Sequence, residues 1–112
     1  MSYIESGKEE GATVHYGGER VGNEGYFMQP TIFTDVKPNM RIAREEIFGP
    51  VGVIIKFKDD EDIINVANDS VYGLAAAVFS QNINRALDTA HKLKAGTIWV
   101  CNALGSCHES CC

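Results

Sequence analysis

The feature that most constrains the fold is an alternation in the second half of the chain, where short apolar runs are separated by segments of helical spacing. Val51–Phe57, Gly73–Phe79 and Thr97–Val100 are apolar runs of strand length. After the first, the acidic residues Asp59, Asp60, Glu61 and Asp62 stand where a helix should begin and complement its dipole. Ile63, Ile64, Ala67 and Val71 then recur at helical spacing. After the second run, Asn82 is placed to cap a helix with Ile83, Ala86, Leu87, Ala90 and Leu93 on one face. Lys92 and Lys94 fit its last turn, and Gly96 stops it. Strand, helix, strand, helix, strand calls for parallel strands joined by crossover helices. The expected class is α/β, a partial open, mostly parallel sheet.

The first half is less regular. Residues 3–10 read as the end of a helix, and Ala12–Tyr16 alternates as a short strand. Residues 17–25 carry the glycines of a surface loop. Tyr26–Phe33 reads as extended structure, with Pro30 restricting it to an edge or an irregular stretch.

At 112 residues and 45% hydrophobic content, the chain has room for one small domain or one piece of a larger one. A net charge of −5 with scattered lysines and arginines offers no basic patch for phosphates, which argues against nucleic acid. No apolar run approaches the roughly 18 residues a membrane span needs. No charged segment precedes an apolar one at the start, so the chain reads as intracellular and cytoplasmic. Asn68-Asp69-Ser70 fits a glycosylation sequon, which is incidental in that setting. All 4 cysteines, Cys101, Cys107, Cys111 and Cys112, fall after residue 100, so no disulfide framework can staple the whole chain.

The stretch with most chemical content is Glu45-Glu46-Ile47-Phe48-Gly49-Pro50, just ahead of the first apolar run. A carboxylate and an aromatic two residues apart can grip a flat, polyhydroxylated ligand. The acid accepts hydrogen bonds from hydroxyls and the ring covers an apolar face. The plainer alternative is a surface Glu and a core Phe before a strand.

Other signals fail. Gly7-Lys8 lacks the second glycine and the following Ser or Thr of a phosphate-binding loop. The glycines of residues 17–25 have no strand–turn–helix setting for a dinucleotide fingerprint. Asp59–Asp62 lacks the glycine of a calcium loop. His15 and His91 stand without ligand-spaced partners, and no Ser-His-Asp or Cys-His arrangement is formed in the first 100 residues. The tail cysteines with His108 could hold a soft metal, but their spacing forms no C-x2-C pair. An exposed, oxidation-prone tail is the simpler expectation.

The order of segments completes the picture. Tyr3–Ala12, Gly25–Phe33, Glu45–Val51, Tyr72–Phe79 and Ala95–Val100 together closely resemble the aldehyde dehydrogenase superfamily, whose members oxidise aldehydes to carboxylic acids with NAD(P). The flavour resembles fungal cytosolic members, some of them mould allergens. The resemblance implies that Glu46 hydrogen-bonds the nicotinamide ribose and that Phe48 packs near the nicotinamide ring. It also implies an approach of Leu74 to that ring, and homo-oligomers in the parent enzyme. The family mechanism is covalent: a thiolate attacks the aldehyde, hydride passes to NAD(P)+ and water hydrolyses the thioester. The nucleophilic cysteine, the general-base glutamate and the cofactor domain have no counterpart here. Similarity stops after Val100.

The expectation is therefore a catalytic-domain fragment, residues 1–100, with an unrelated Cys-rich tail, residues 101–112, inactive and aggregation-prone by itself. The alternatives are a non-catalytic polypeptide recognised by antibodies, or a metal or redox role of the tail.

Overall fold

The computed structural model describes residues 1–101 in full and residues 107–111 by their backbone. The chain divides into two compact units, Met1–Lys56 and Phe57–Cys112.

The first unit begins with helix α1, Ser2–Glu9, followed by strand β1, Thr13–Tyr16. Strand β2, Thr31–Thr34, helix α2, Arg41–Arg44, and strand β3, Val51–Val53, complete it. The three strands form one sheet in the order β1-β2-β3. β1 lies antiparallel to β2, and β3 lies parallel to it, with Thr31 opposite Val51 and Phe33 opposite Val53.

β2 is therefore central, not an edge. Pro30 sits one residue ahead of the strand, so its missing N–H removes no rung of the ladder. The alternation along β2 sets the core: Thr31 and Phe33 point inward and are buried, while Ile32 points out. Phe33 is fully buried among Ile4, Val36, Met40 and Ile42. Gly7 of α1 lets the helix approach this ring. A Cβ there would lie 3.0 Å from Phe33 Cζ and from Ile42 Cδ1.

The loop of residues 17–25 is a loop as expected, and it is closely docked. Gly17 has φ +73°, and a Cβ on it would fall 2.0 Å from the Pro30 carbonyl oxygen. Beside it, Gly18 N–H donates to Thr31 Oγ1 at 2.9 Å, and that hydroxyl donates to the Gln29 carbonyl at 3.0 Å. Thr31 is thus a buried hydroxyl with both functions satisfied.

The second unit contains helix α3, Asp60–Asn68, strand β4, Ala75–Phe79, and helix α4, Ile83–Ala90. Strands β5, Thr97–Cys101, and β6, Cys107–Cys111, follow, in a sheet ordered β4-β5-β6. β4 and β5 run parallel over five pairs, from Ala75 opposite Thr97 to Phe79 opposite Cys101, and α4 is the crossover between them. β6 adds antiparallel to β5.

Both predicted helix starts are capped. Asp59 accepts from Asp62 N–H at 2.9 Å, and Asn82 accepts from Arg85 N–H at 3.2 Å. Ala86 and Ala90 press α4 onto Ile98 and Val100. Asn68 ties the end of α3 to the segment after α4. Its Nδ2 donates to the Lys92 carbonyl at 2.8 Å, and its Oδ1 accepts from Lys94 N–H at 2.8 Å. Both ends of that amide are therefore engaged in structure.

The α/β class and the parallel pair with its crossover helix hold. Three details differ from expectation. The run of residues 51–57 pairs with β2 in the first unit's sheet and is a strand only over Val51–Val53; Ile54 and Phe57 are half-exposed. β4 is a strand but not a buried one, because only Ala76 and Val78 are partly covered while Phe79 is 70% exposed. α2 was not anticipated, since four residues are too few to show a period. No described helix is long and apolar enough to cross a membrane.

Candidate functional site

Glu46, Ile47 and Phe48 form a short connecting segment between α2 and β3. Ile47 packs against the first unit's core. On either side of it, Glu46 and Phe48 are both exposed. The ring of Phe48 is 91% exposed, so the core-Phe alternative does not hold. Glu46 is exposed and accepts no hydrogen bond from any described residue. The segment is tied down just after it, where Thr31 N–H donates to the Pro50 carbonyl at 2.8 Å and begins the β2–β3 ladder. The result is an unused carboxylate and an uncovered ring, two residues apart on a strap whose middle residue is anchored.

Behind the strap lies a cluster that sequence reasoning missed. Tyr3 Oη donates to Glu45 Oε2 at 2.9 Å, and Arg41 Nε donates to the same oxygen at 3.1 Å. The Arg41 guanidinium stacks over the Tyr3 ring, 4.4 Å from its centroid. The Tyr3 hydroxyl, then Arg41, hold the Glu45 carboxyl below the usual carboxylate range. The same hydrogen bond raises the Tyr3 phenol. The i,i+4 spacing of Arg41 and Glu45 was a legible signal; Tyr3, 42 residues from Glu45, left none.

Leu74 belongs to the second unit. It is 87% exposed and lines a groove of about 600 Å³ with residues of α3, β4 and α4. One edge of that groove carries Asp60, gripped by Arg85. Arg85 Nε lies 2.9 Å from both carboxylate oxygens, and Nη2 bonds Oδ1 as well. This contact holds the Asp60 carboxyl below its ordinary range. Asp60 and Arg85 are thereby paired with each other; Lys94 also lines the groove, and the rest of the lining is largely apolar.

His15 and His91 are exposed, on β1 and just past α4. No group of three or more His, Cys, Asp or Glu side chains that could hold a metal occurs among the described residues. Cys101 departs from the exposed tail that was expected. It is 1% exposed at the end of β5 and is disulfide-bonded. The rest of the tail, including the side chains of Cys107, His108, Cys111 and Cys112, lies outside the described residues.

Comparison with known proteins bears out the family and the α/β fold. Residues 1–110 match the model of the aldehyde dehydrogenase family. An aldehyde dehydrogenase of Agaricus bisporus is 73% identical over 100 residues, which is 89% of this chain and 20% of that protein. The NAD+ complex of an aldehyde dehydrogenase from Bacillus cereus superposes with a TM-score of 0.84 at 50% identity, covering 98% of this chain and 23% of the other. Betaine aldehyde dehydrogenase from Staphylococcus aureus in complex with NAD+ gives 0.84 at 46% identity, covering 88% and 20%. The chain thus spans about a fifth of the length of these relatives. The chain belongs to the aldehyde dehydrogenase family.

Proposed function

We propose that this chain supplies part of the nicotinamide-side wall of the cofactor site in an NAD(P)-dependent enzyme that oxidises aldehydes to carboxylic acids. The observation that carries the reading is an unengaged carboxylate, Glu46, two residues from an exposed ring, Phe48, on an anchored strap. Vicinal hydroxyls of a ribose match the first, and the flat nicotinamide matches the second. When bound, the cofactor supplies the hydride acceptor. Glu46 orients the ribose, and Phe48 keeps water from one side of the ring. The NAD+ complexes of the Bacillus and Staphylococcus enzymes support NAD(P) as the cofactor.

The same reading makes the 112-residue chain inactive alone. Residues 1–100 contain no cysteine to act as nucleophile. It also places the aldehyde dehydrogenase-like part in residues 1–100 and treats residues 101–112 as a separate Cys-rich tail. The family match to residue 110 weighs against that boundary. Substrate aldehyde and homo-oligomeric assembly belong to the longer enzyme.

Two measurements test the proposal. Purified chain mixed with NAD+ and an aldehyde should give no NADH absorbance; aldehyde-dependent NADH would overturn the inactivity. For the cofactor role, residues 1–100 replace the segment they match in the Agaricus enzyme. In that chimera Glu46→Gln and Phe48→Ala should each weaken NAD+ binding roughly tenfold or more, the scale of one hydrogen bond to a charged group or one aromatic contact. Unchanged affinity in both would reject the site.

A further inference from the structure

We infer that Tyr3, Arg41 and Glu45 are positioning residues for the Glu46–Phe48 strap, so that a contact between α1 and α2 sets the affinity of the cofactor site. The inference rests on the reading of Glu46 and Phe48 given above. Its own evidence is the chain of contacts behind them. Ser6 Oγ donates to Glu10 Oε1 at 2.7 Å, and Glu10 Oε2 accepts from the backbone N–H of Arg41 at 2.8 Å. Arg41 passes the restraint to Glu45 at 3.1 Å, and Tyr3 reaches the same carboxylate oxygen at 2.9 Å. The contacts run from the first helix to the last residue before Glu46.

Glu45 is where the restraint matters. It is the C-terminal cap of α2, and its backbone is already extended, φ −108° and ψ 147°. The chain leaves the helix at this residue. Holding its carboxylate from two directions fixes the exit, while Ile47 in the core fixes the other side of Glu46. Glu46 therefore stands between two anchors and has little freedom left to lose when a ligand binds.

Each of these exposed contacts contributes little to stability alone. A fixed acceptor gains affinity by a different route, because the cost of ordering it has already been met in the fold. That separates this role from a merely structural one: loss of the network should weaken binding more than it weakens the fold.

The test uses the Agaricus chimera carrying residues 1–100. Tyr3→Phe removes one hydroxyl, and Glu45→Gln removes the charge that Arg41 holds. Each is expected to raise the Kd for NAD+ about threefold to tenfold, with kcat unchanged and the melting temperature lowered by no more than the small contribution of one exposed contact. Arg41→Lys, which keeps the charge but not the planar fork, should fall between wild type and Glu45→Gln.

Unchanged Kd in Tyr3→Phe and Glu45→Gln, beside weakened binding in Glu46→Gln, overturns this inference alone. Unchanged Kd in Glu46→Gln as well overturns the cofactor-site reading and this inference with it. A fall in affinity matched by a fall in melting temperature assigns the cluster a structural role and also overturns it. Should the chimera yield no soluble protein, hydrogen exchange on the 112-residue chain decides. Tyr3→Phe must speed exchange at residues 45–48 while the rest of residues 1–56 is unaffected; uniform or absent change rejects the inference.

Discussion

The two units use the same grammar of strands and helices, yet they bury very different side chains. Residues 1–56 close around a fully buried Phe33 with Ile4, Val36, Met40 and Ile42, and a satisfied Thr31 hydroxyl lies beside them. Residues 57–101 bury Ala86, Ala90, Ile98 and Val100, and α3 has no fully buried residue. Both units leave apolar surface open: Val71, Leu74 and Phe79 in the second, and Tyr26, Phe27 and Phe48 in the first. Burial of apolar area is the main favourable contribution to folding, so the first unit holds its own core while the second relies on backbone ladders, caps and small-residue packing. The candidate site sits on the better-packed unit, where an exposed strap can be held still.

The largest test of this contrast is truncation of the two cores. Phe33→Ala should destabilise residues 1–56 by about 3–5 kcal/mol, whereas Ile98→Ala should cost about 2 kcal/mol, the low end of its class. Denaturant unfolding followed by hydrogen exchange reads both. An Ile98→Ala loss equal to that of Phe33→Ala would break the comparison.

A smaller effect is expected at the helix contact. Gly7→Ala pushes a methyl to 3.0 Å from the Phe33 ring and should cost about 1–3 kcal/mol through overpacking. A neutral melting curve would show that α1 can shift freely. Cap removal tests the second unit in turn. Asp59→Ala and Asn82→Ala should each cost about 1 kcal/mol, a larger share of that unit's stability than of the first's. Circular dichroism melts that do not move would show the caps to be redundant.

The smallest effects are on the surface. Phe48→Ala should change stability by less than about 0.5 kcal/mol, because the ring is exposed, even while it weakens cofactor binding in the chimera. Acid titration gives the last comparison. Asp60, held by Arg85, and Glu45, held by Tyr3 and then Arg41, have carboxyls below their ordinary range in the folded state. Their stabilisation is therefore present above the ordinary carboxylate pKa and is lost as pH falls through the lower folded values. Asp60→Asn and Glu45→Gln should each flatten the acid limb of the stability curve slightly, since both pairs are exposed. An acid limb unchanged in both variants would show that neither ion pair is populated in solution.

Much of this was legible in the chain. The caps at Asp59 and Asn82, the crossover helix between residues 75–79 and 97–101 and the loop at residues 17–25 follow from local chemistry, because each involves residues a few positions apart. The strap was legible as an acid and an aromatic before a strand, and its family as an order of segments. What could not be read locally was pairing over distance. Nothing in residues 51–57 states that they add beside Thr31–Thr34, and nothing in Tyr3 points to Glu45.

By itself, then, the sequence determined the α/β class, the helix starts, the segments that identify the family and the two residues of the candidate site. Tertiary structure alone decided that the strands belong to two sheets, that β2 is central despite Pro30, and that Phe48 is exposed rather than core. It also decided that Glu45 is held from α1. The reason is physical: capping, turns and periodicity are set by neighbours along the chain, while strand partnership, burial and the support behind a site are set by whatever the fold brings alongside.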